Sequence, residues 1–257
     1  MASVCGAVIA RDAEATIARC LNSLLWTDSL LVVLDDRTID STGSIASSLG
    51  AKVESRTFVD FARQRNTALD LIEDEWVLFV DADEVVTPEL AAEVRAVTTA
   101  SNRIEVGYWI PRRNIIFGRW IRNAGWSPDY QLRLLKKSRA RYREDRIVHE
   151  LVDLQGEAGY LDNPFIHYNY ATFSEFLDRQ RRYASFEAAN RYRRGLRARP
   201  HNYLLQPWRE FWRRYIQLKG YKEGFIGLLL SATLAYYEFK TYVELSSIST
   251  ADRCNFS

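Results

Sequence analysis

At 257 residues, 47% of them apolar and 26% charged, the chain can bury a sizeable core, and its composition excludes fibrous, collagenous and intrinsically disordered classes. The formal net charge of +2 conceals a division: Ala171 to Lys222 carries 13 Lys/Arg against 4 Asp/Glu, a local +9, which leaves the remainder at −7. A basic segment on an acidic body points to a polyanionic partner, with membrane headgroups, lipid-linked phosphates and nucleic acid as the candidates. Cys5, Cys20 and Cys254 are odd in number and lack metal spacing, which argues for a reducing compartment. The N-terminus lacks the basic and apolar regions of a signal peptide. The longest apolar stretch, Phe225 to Tyr237, falls short of the roughly 18 residues that cross a bilayer. The expected location is therefore cytoplasmic, for a soluble or peripheral protein.

Val4 to Ala10 reads as a first strand, and Asp12 is a candidate cap for a helix carrying Ile17, Cys20, Leu21, Leu24 and Leu25. Leu30 to Leu34 is a second strand, ending in Asp35-Asp36. Thr42 to Leu49 is a short helix closed by Gly50, and Lys52 to Glu54 a third strand. Phe61 to Ile72 is helical by pattern. Trp76 to Val80 is an unbroken apolar run, suited to a strand buried on both faces of a parallel sheet. Thr87 is an N-cap with Pro88 at the first helical position, leading Leu90, Val94 and Val97. Strand and helix alternate four times, which predicts an α/β fold with a doubly wound, mostly parallel sheet.

Beyond Ala100 the pattern changes to short strands, Tyr108 to Ile110, Ile115 to Phe117 and Leu132 to Leu135, among Arg-rich and Gly-rich turns. From Thr172 the chain is helical. Thr172 with Glu175 forms a capping box ahead of Phe173, Phe176, Leu177, Tyr183 and Ala184. Pro200 and Pro207 are expected to set off a second helix over Trp208 to Leu218. Gly220 and Gly224 precede a third, ending near Leu245, and Ala251 to Ser257 reads as a frayed tail. The expected organisation is an α/β body over 1–170, with the strand–helix alternation in 1–105 and the loop-dominated stretch in 106–170, and a basic helical extension over 171–257.

Chemistry concentrates where the apolar run ends: Asp81, Asp83 and Glu84 put three carboxylates within four residues. Open α/β sheets place ligands beyond the carboxyl ends of their strands. In an extended backbone Asp81 and Asp83 would point the same way, offering hard oxygen donors for Mg²⁺ or Mn²⁺ and so for a phosphate-bearing substrate. Asp35 and Asp36 form a second acidic exit, able to accept hydrogen bonds from a ribose or base. Capping of the following loop competes for Asp35. No Gly-x-Gly-x-x-Gly or Walker A sequence is present. Arg65 lies in a stripe with Phe61, Ala68, Leu69 and Ile72, where a guanidinium must snorkel or find an anion. In Arg146-Ile-Val-His-Glu-Leu-Val152, Glu150 is a candidate general base and His149 a candidate metal or phosphate contact, with an exposed polar edge as the competing reading. His167 reads as structural, with a metal role in second place.

Taken in order and spacing, these segments resemble glycosyltransferase family 2, the inverting enzymes with the GT-A fold, and within it the branch of lipopolysaccharide inner-core glucosyltransferases. The resemblance rests on Asp35-Asp36-Arg-Thr-Ile-Asp-Ser-Thr42, Phe61-Ala-Arg-Gln-Arg-Asn-Thr-Ala-Leu69, Trp76-Val-Leu-Phe-Val-Asp-Ala-Asp-Glu84, Gly125-Trp-Ser-Pro-Asp-Tyr-Gln-Leu-Arg-Leu-Leu135 and Val148-His-Glu150. It implies that Asp36 binds the base, that Arg65, Asp81, Ala82 and Asp83 line the nucleotide sugar, and that Asp81, Asp83 and His149 serve the metal. It also places the catalytic base at Glu150, with Asp129 as competitor. The donor would be a UDP-sugar or another nucleoside-diphosphate sugar, and by the same resemblance 1–170 would be the catalytic domain, with 1–105 its nucleotide-sugar-binding part and 106–170 its acceptor-side part. Two elements depart from the family pattern: Asp36-Arg37-Thr38 replaces Asp-Gly-Ser, and Arg11-Asp12-Ala13 stands where Lys-Asn-Glu is usual.

The expected activity is metal-dependent, inverting transfer of a hexose to a glycan or glycolipid hydroxyl, in lipopolysaccharide core or cell-surface glycan synthesis, with peripheral attachment to the cytoplasmic face of the inner membrane as the membrane-linked option. Trp120, Trp126 and Arg133 are expected to shape the acceptor side. The basic helices with Trp208 and Trp212 among Arg209, Arg213 and Arg214 have an interfacial-anchor composition. Ordinary packing is the equal alternative for them. Rival readings are transfer to a protein or small soluble glycan, and a nucleic-acid-binding protein. Against the last, no recognisable nucleic-acid module accompanies the basic residues, and nucleic acid is not an expected partner.

Overall fold

The computed structural model describes residues 2–100, 103–144 and 151–254, of which 251–254 by backbone alone. Two compact units emerge, one from 1–113 with 129–168, the other from 114–128 with 169–257.

The first unit is built on a sheet that begins with β1 (Val4–Ala10), β2 (Ser29–Asp35), β3 (Lys52–Arg56) and β4 (Trp76–Asp81), all parallel in the spatial order β3-β2-β1-β4. The helices α1 (Ile17–Asn22), α2 (Thr42–Ser48) and α3 (Phe61–Leu71) connect them, giving the doubly wound alternation. Past β4 the path turns antiparallel, through β8 (Tyr130–Lys136) and β6 (Glu105–Ile116) to β12 (Phe165–Tyr170) and β5 (Glu84–Val86). The remaining strands are β7 (Arg119–Trp120) and β11 (Glu157–Tyr160), both on β6, and the pair β9 (Ala140–Tyr142) and β10 (Val152–Leu154).

β4 explains why an unbroken apolar run was needed. Trp76, Leu78 and Val80 enter one core with Val4, Val8 and Leu21, while Val77 and Phe79 enter another with Ala7, Val33, Leu69 and Leu135. Successive strand side chains alternate between faces, so both parities must be apolar when both faces are covered. The caps also follow the sequence. Thr87 accepts from the Leu90 N–H at 3.1 Å and starts α4 (Pro88–Thr99), and Asp60 accepts from the Arg63 N–H at 2.8 Å at the head of α3.

Three expectations need correction here. Asp12 caps no helix: α1 starts at Ile17, and Asp12, at φ +44°, accepts from the Ile39 N–H at 3.0 Å instead. The two short strands expected around Tyr108 and Ile115 are one continuous β6, kept running through Pro111. Asp81 and Asp83 do not share an extended backbone, because the chain turns at Ala82 and Asp83 before re-entering as β5.

The second unit packs Ile116 and Ile121 against Tyr170, Phe176 and Leu230. Its helices are α5 (Phe173–Arg193), α6 (Asn202–Trp212) and α7 (Gly224–Cys254). Thr172 caps α5, accepting from the Glu175 N–H at 3.2 Å, and the Glu175 carboxylate reaches back to the Ala171 N–H at 2.9 Å. Pro207 does not start the second helix, as the sequence suggested; it lies inside α6, which begins five residues earlier at Asn202 and continues into a π-helical turn, Arg213–Gln217. α7 runs nine residues past Leu245. No helix among the described residues is long and apolar enough to cross a membrane.

Candidate active site

The site grows from the exit of β4. The turn after Asp81 is closed by Glu84, a fully buried side chain whose Oε2 accepts from the Asp81 N–H at 2.9 Å. A buried carboxylate is costly without a cation, and Arg112 lies 3.4 Å away. Arg112 reaches on to Asp129, its Nε donating at 2.8 Å, and the Arg112 N–H donates to the Asp129 carbonyl at 2.8 Å. The β4–β5 turn is thus tied to β6 and to the start of β8 through one guanidinium.

Asp81 takes two more. Arg65 Nη2 donates to Oδ1 at 3.1 Å and Arg133 Nη2 to Oδ2 at 2.6 Å. Both arginines are almost wholly buried. Arg65, the cation in an apolar stripe, has therefore found its anion rather than snorkelled, and the Phe79 and Tyr142 rings flank it at 5.7 and 5.4 Å. Burial alone would raise the Asp81 carboxyl, but Arg133, then Arg65 and Arg112, hold it down at about 2. Glu84 goes the other way. Burial and the neighbouring Asp81 charge push it up, against the opposing pull of Arg133 and Arg112. Among the described residues, Asp81, Glu84 and Asp129 with Arg65, Arg112 and Arg133 make a lattice of alternating charge, three of each sign.

Asp83 stands at the edge of that lattice. Its carbonyl accepts from the Tyr168 N–H at 3.0 Å, and its Oδ2 lies 3.5 Å from His167 Nε2. Beside Tyr168, Arg19 stacks with its guanidinium 3.6 Å from the ring centre. Ala82 is half-buried against the core. Among the described residues no three His, Cys, Asp or Glu side chains gather closely enough to hold a metal by themselves. Asp83 and His167 supply one oxygen and one nitrogen, the kind of partial set that suits a cation otherwise ligated by substrate phosphates.

The second acidic exit lies on the same edge of the sheet. Ile9 of β1 is opposite both Asp81 and Val33, which places the β2 exit two strands from the β4 exit, about 10 Å across. Asp35 is buried and is held by Arg37, through Nε at 3.0 Å and Nη2 at 2.9 Å, and by Arg11 at 3.4 Å. The Arg37 contact, working against desolvation, lowers its pKa to about 2. Arg11 and Arg37 are the two departures from the family pattern, and they meet on one carboxylate. Asp36 is exposed and accepts from the Thr57 hydroxyl.

The remaining sequence candidates have the following settings. Arg133, read as an acceptor-side residue, is buried and donates to Asp81. Asp129 is engaged by Arg112 and by Gln131 Nε2 at 2.9 Å. Trp120 and Trp126 belong to the second unit: the Arg122 guanidinium sits 3.9 Å above the Trp120 ring, and Trp126 meets Tyr170 edge-on at 6.0 Å. His149 and Glu150 lie outside the described residues. Sequence reasoning assigned no role to Glu84 or Arg112. Glu84 carried a signal, as the third carboxylate of the cluster. Arg112 carried none, since only the β6–β8 register brings it to Asp129.

A doubly wound sheet with acidic and guanidinium groups along the carboxyl edge of its parallel strands has its candidate site where open α/β proteins bind their ligands. Residues 7–153, more than half of the chain, match the family model described as Glycosyl transferase family 2, and the chain belongs to that family. The activity is accordingly that of a glycosyltransferase using a nucleotide-sugar donor. Over 257 aligned residues it is 23% identical to an uncharacterised glycosyltransferase of Rickettsia typhi, covering 96% of this chain and 87% of that one. Over 249 residues it is 24% identical to the lipopolysaccharide core biosynthesis glycosyltransferase LpsC of Rhizobium meliloti, covering 93% and 90%. Among solved structures it is similar to the mannosyltransferase PcManGT of Pyrobaculum calidifontis in complex with GDP-Man and Mn²⁺. The TM-score is 0.54 at 14% identity, over 94% of this chain and 86% of that one. The architecture is thus the GT-A fold followed by C-terminal helices.

Proposed function

We propose that the chain is a metal-assisted, inverting hexosyltransferase that moves a sugar from a nucleoside-diphosphate donor to a hydroxyl of a glycolipid, with lipopolysaccharide core as the acceptor class. The observation that carries this reading is the β4 exit. There Asp83 and His167 face each other beside a neutralised lattice of three carboxylates and three arginines. The likeness to LpsC supports the acceptor class, and the Mn²⁺ and GDP-Man of PcManGT support the donor and the cation.

Asp36, exposed at the β2 exit, accepts a hydrogen bond from the donor's base or ribose. Asp83 and His167 are the residues that would hold the divalent cation, which as a Lewis acid neutralises charge on the departing diphosphate. Asp81 is committed to Arg65 and Arg133, so it braces the turn that carries Asp83 rather than ligating the cation. One displacement assisted by one base inverts the anomeric centre, and no protein nucleophile is needed. Glu150 is that base, taking the proton of the attacking hydroxyl. Asp129, already accepting from Arg112 and Gln131, positions Arg112.

Thermal unfolding with UDP-, GDP- and ADP-sugars, each with and without Mn²⁺, tests the reading. A ligand at a hundred times its dissociation constant stabilises the fold by about 2.7 kcal/mol. The expected result is stabilisation by one nucleotide series, dependent on Mn²⁺ and lost in Asp83→Asn. Equal stabilisation without the metal, or in Asp83→Asn, would remove the cation from the scheme.

A further inference from the structure

α6 is oriented the wrong way round for a helix facing water. An amphipathic surface helix turns its apolar stripe inward and its polar face outward. Here Leu204, Trp208, Trp212 and Ile216, spaced by four, expose 78%, 60%, 45% and 39% of their surface, with Leu205 exposed beside them. The inward side carries Tyr203, whose ring lies 6.1 Å from Phe239 of α7, and Glu210, which pairs with Arg214. No residue of α6 is buried. Trp208 and Trp212 stand 6.1 Å apart, and Phe211 stacks on Tyr215 at 5.3 Å, so the stripe is a stiff aromatic rail.

Two cations share the outward side. Arg213 is paired with Glu210 at 2.9 Å, whereas Arg209 has no acidic partner among the described residues. Both line, with Trp208 and Trp212, a cavity of about 700 Å³ that also reaches Arg191 and Glu238. The surrounding 171–222 segment carries 13 basic against 4 acidic residues.

We propose that this face docks on an anionic lipid bilayer, with Trp208 and Trp212 at headgroup depth, Leu204 and Ile216 in the acyl boundary, and Arg209 on lipid phosphate. Charge complementarity selects this occupant. A second copy would set two segments of net +9 against each other, which is repulsive. Tryptophan, arginine and leucine on one helical face are the composition of helices that lie in the interface plane rather than span it. The residues involved are separate from those of the transfer chemistry.

The test is co-sedimentation of the full chain with vesicles of phosphatidylethanolamine and phosphatidylglycerol, beside vesicles of phosphatidylcholine alone. Binding to the first and not the second is expected, released by salt. Trp208→Ala with Trp212→Ala should weaken it about tenfold or more, and Arg209→Gln about fivefold. Leu204→Ser provides a milder second variant, and unfolding midpoints should stay unchanged because all four side chains are exposed. Failure to bind the anionic vesicles, equal binding to both kinds, or binding indifferent to these substitutions would overturn the proposal. So would a dimer in sedimentation velocity that the tryptophan pair dissolves, since the face would then belong to a second copy. Vesicle binding is read without donor or acceptor. A chain that binds vesicles but transfers no sugar would overturn the proposed function alone.

Discussion

Asp81→Asn isolates what the β4 carboxylate does. In the native protein its two oxygens neutralise Arg65 and Arg133 at 3.1 and 2.6 Å, and both guanidiniums are shut away from water. Removing one partner of a buried pair costs about 3–5 kcal/mol, because the charge left behind has lost both water and counterion. Two cations each lose one partner here, but both keep another contact, the Asp81 side chain is one-third exposed and the amide still accepts one hydrogen bond, so the lower end applies, about 3 kcal/mol. For a chain of this size that lowers the unfolding midpoint by roughly 6–12 °C. Asp83→Asn, whose carboxylate lies 3.5 Å from His167 Nε2, should shift it by less than about 1 °C. Calorimetry of both variants reads the difference directly. The pH dependence carries the same signature. The folded Asp81 carboxyl titrates near 2, below its unfolded value of about 3.9, so its contribution is present above pH 4 and is lost as pH falls from about 4 to about 2. Asp81→Asn should flatten that limb. An Asp81→Asn protein as stable as the parent from pH 7 to pH 3 would refute the lattice account.

Arg112→Met should destabilise by about 3 kcal/mol through the unpaired, buried Glu84, and adding Glu84→Gln should recover about half of that loss in a denaturant titration; no recovery would mean that Arg112 acts elsewhere. Glu150→Gln should lower kcat by about 10²–10⁴-fold with little change in the donor KM, as loss of a general base requires. Asp129→Asn should reduce kcat by much less, and the reverse order in steady-state assays would exchange the two roles. Burial pushes the Cys5 thiol up to about 11 and Cys20 well above its usual value, so in a Cys254→Ser background neither should react with a thiol-disulfide reagent at pH 8 until denaturant is added. Prompt stoichiometric labelling would show that the cores around β1 and α1 open readily.

Much of this was readable from residues alone. The apolar run from Trp76 to Val80 announced a strand covered on both faces, and the Thr87-Pro88 and Thr172–Glu175 pairs marked their helix starts, because these signals are local. What escaped was decided by distant partners or by a change of backbone. The alternation argument for Asp81 and Asp83 assumed a strand that in fact ends at Asp81, and Glu84 closes the turn that ends it. Arg133 seemed free to meet an acceptor because nothing in its neighbourhood reveals that β8 delivers it to Asp81. Pro207 looked like a helix breaker, yet α6 carries it as its sixth residue. The error mattered, since it hid Leu204 and Leu205 from the exposed stripe.

Arg11 and Arg37 lie 26 positions apart yet share Asp35. Glycine at 37 would leave that buried carboxylate with the backbone N–H of residue 37, at 3.1 Å, and one long, half-exposed arm. Replacing Arg11 alone would be milder, since Arg37 already grips both oxygens. The two positions are therefore thermodynamically coupled, and exchange between this pairing and the glycine version of the loop is easier in one order than the other. Where a glycine version of this loop would be supple, this chain has a braced one.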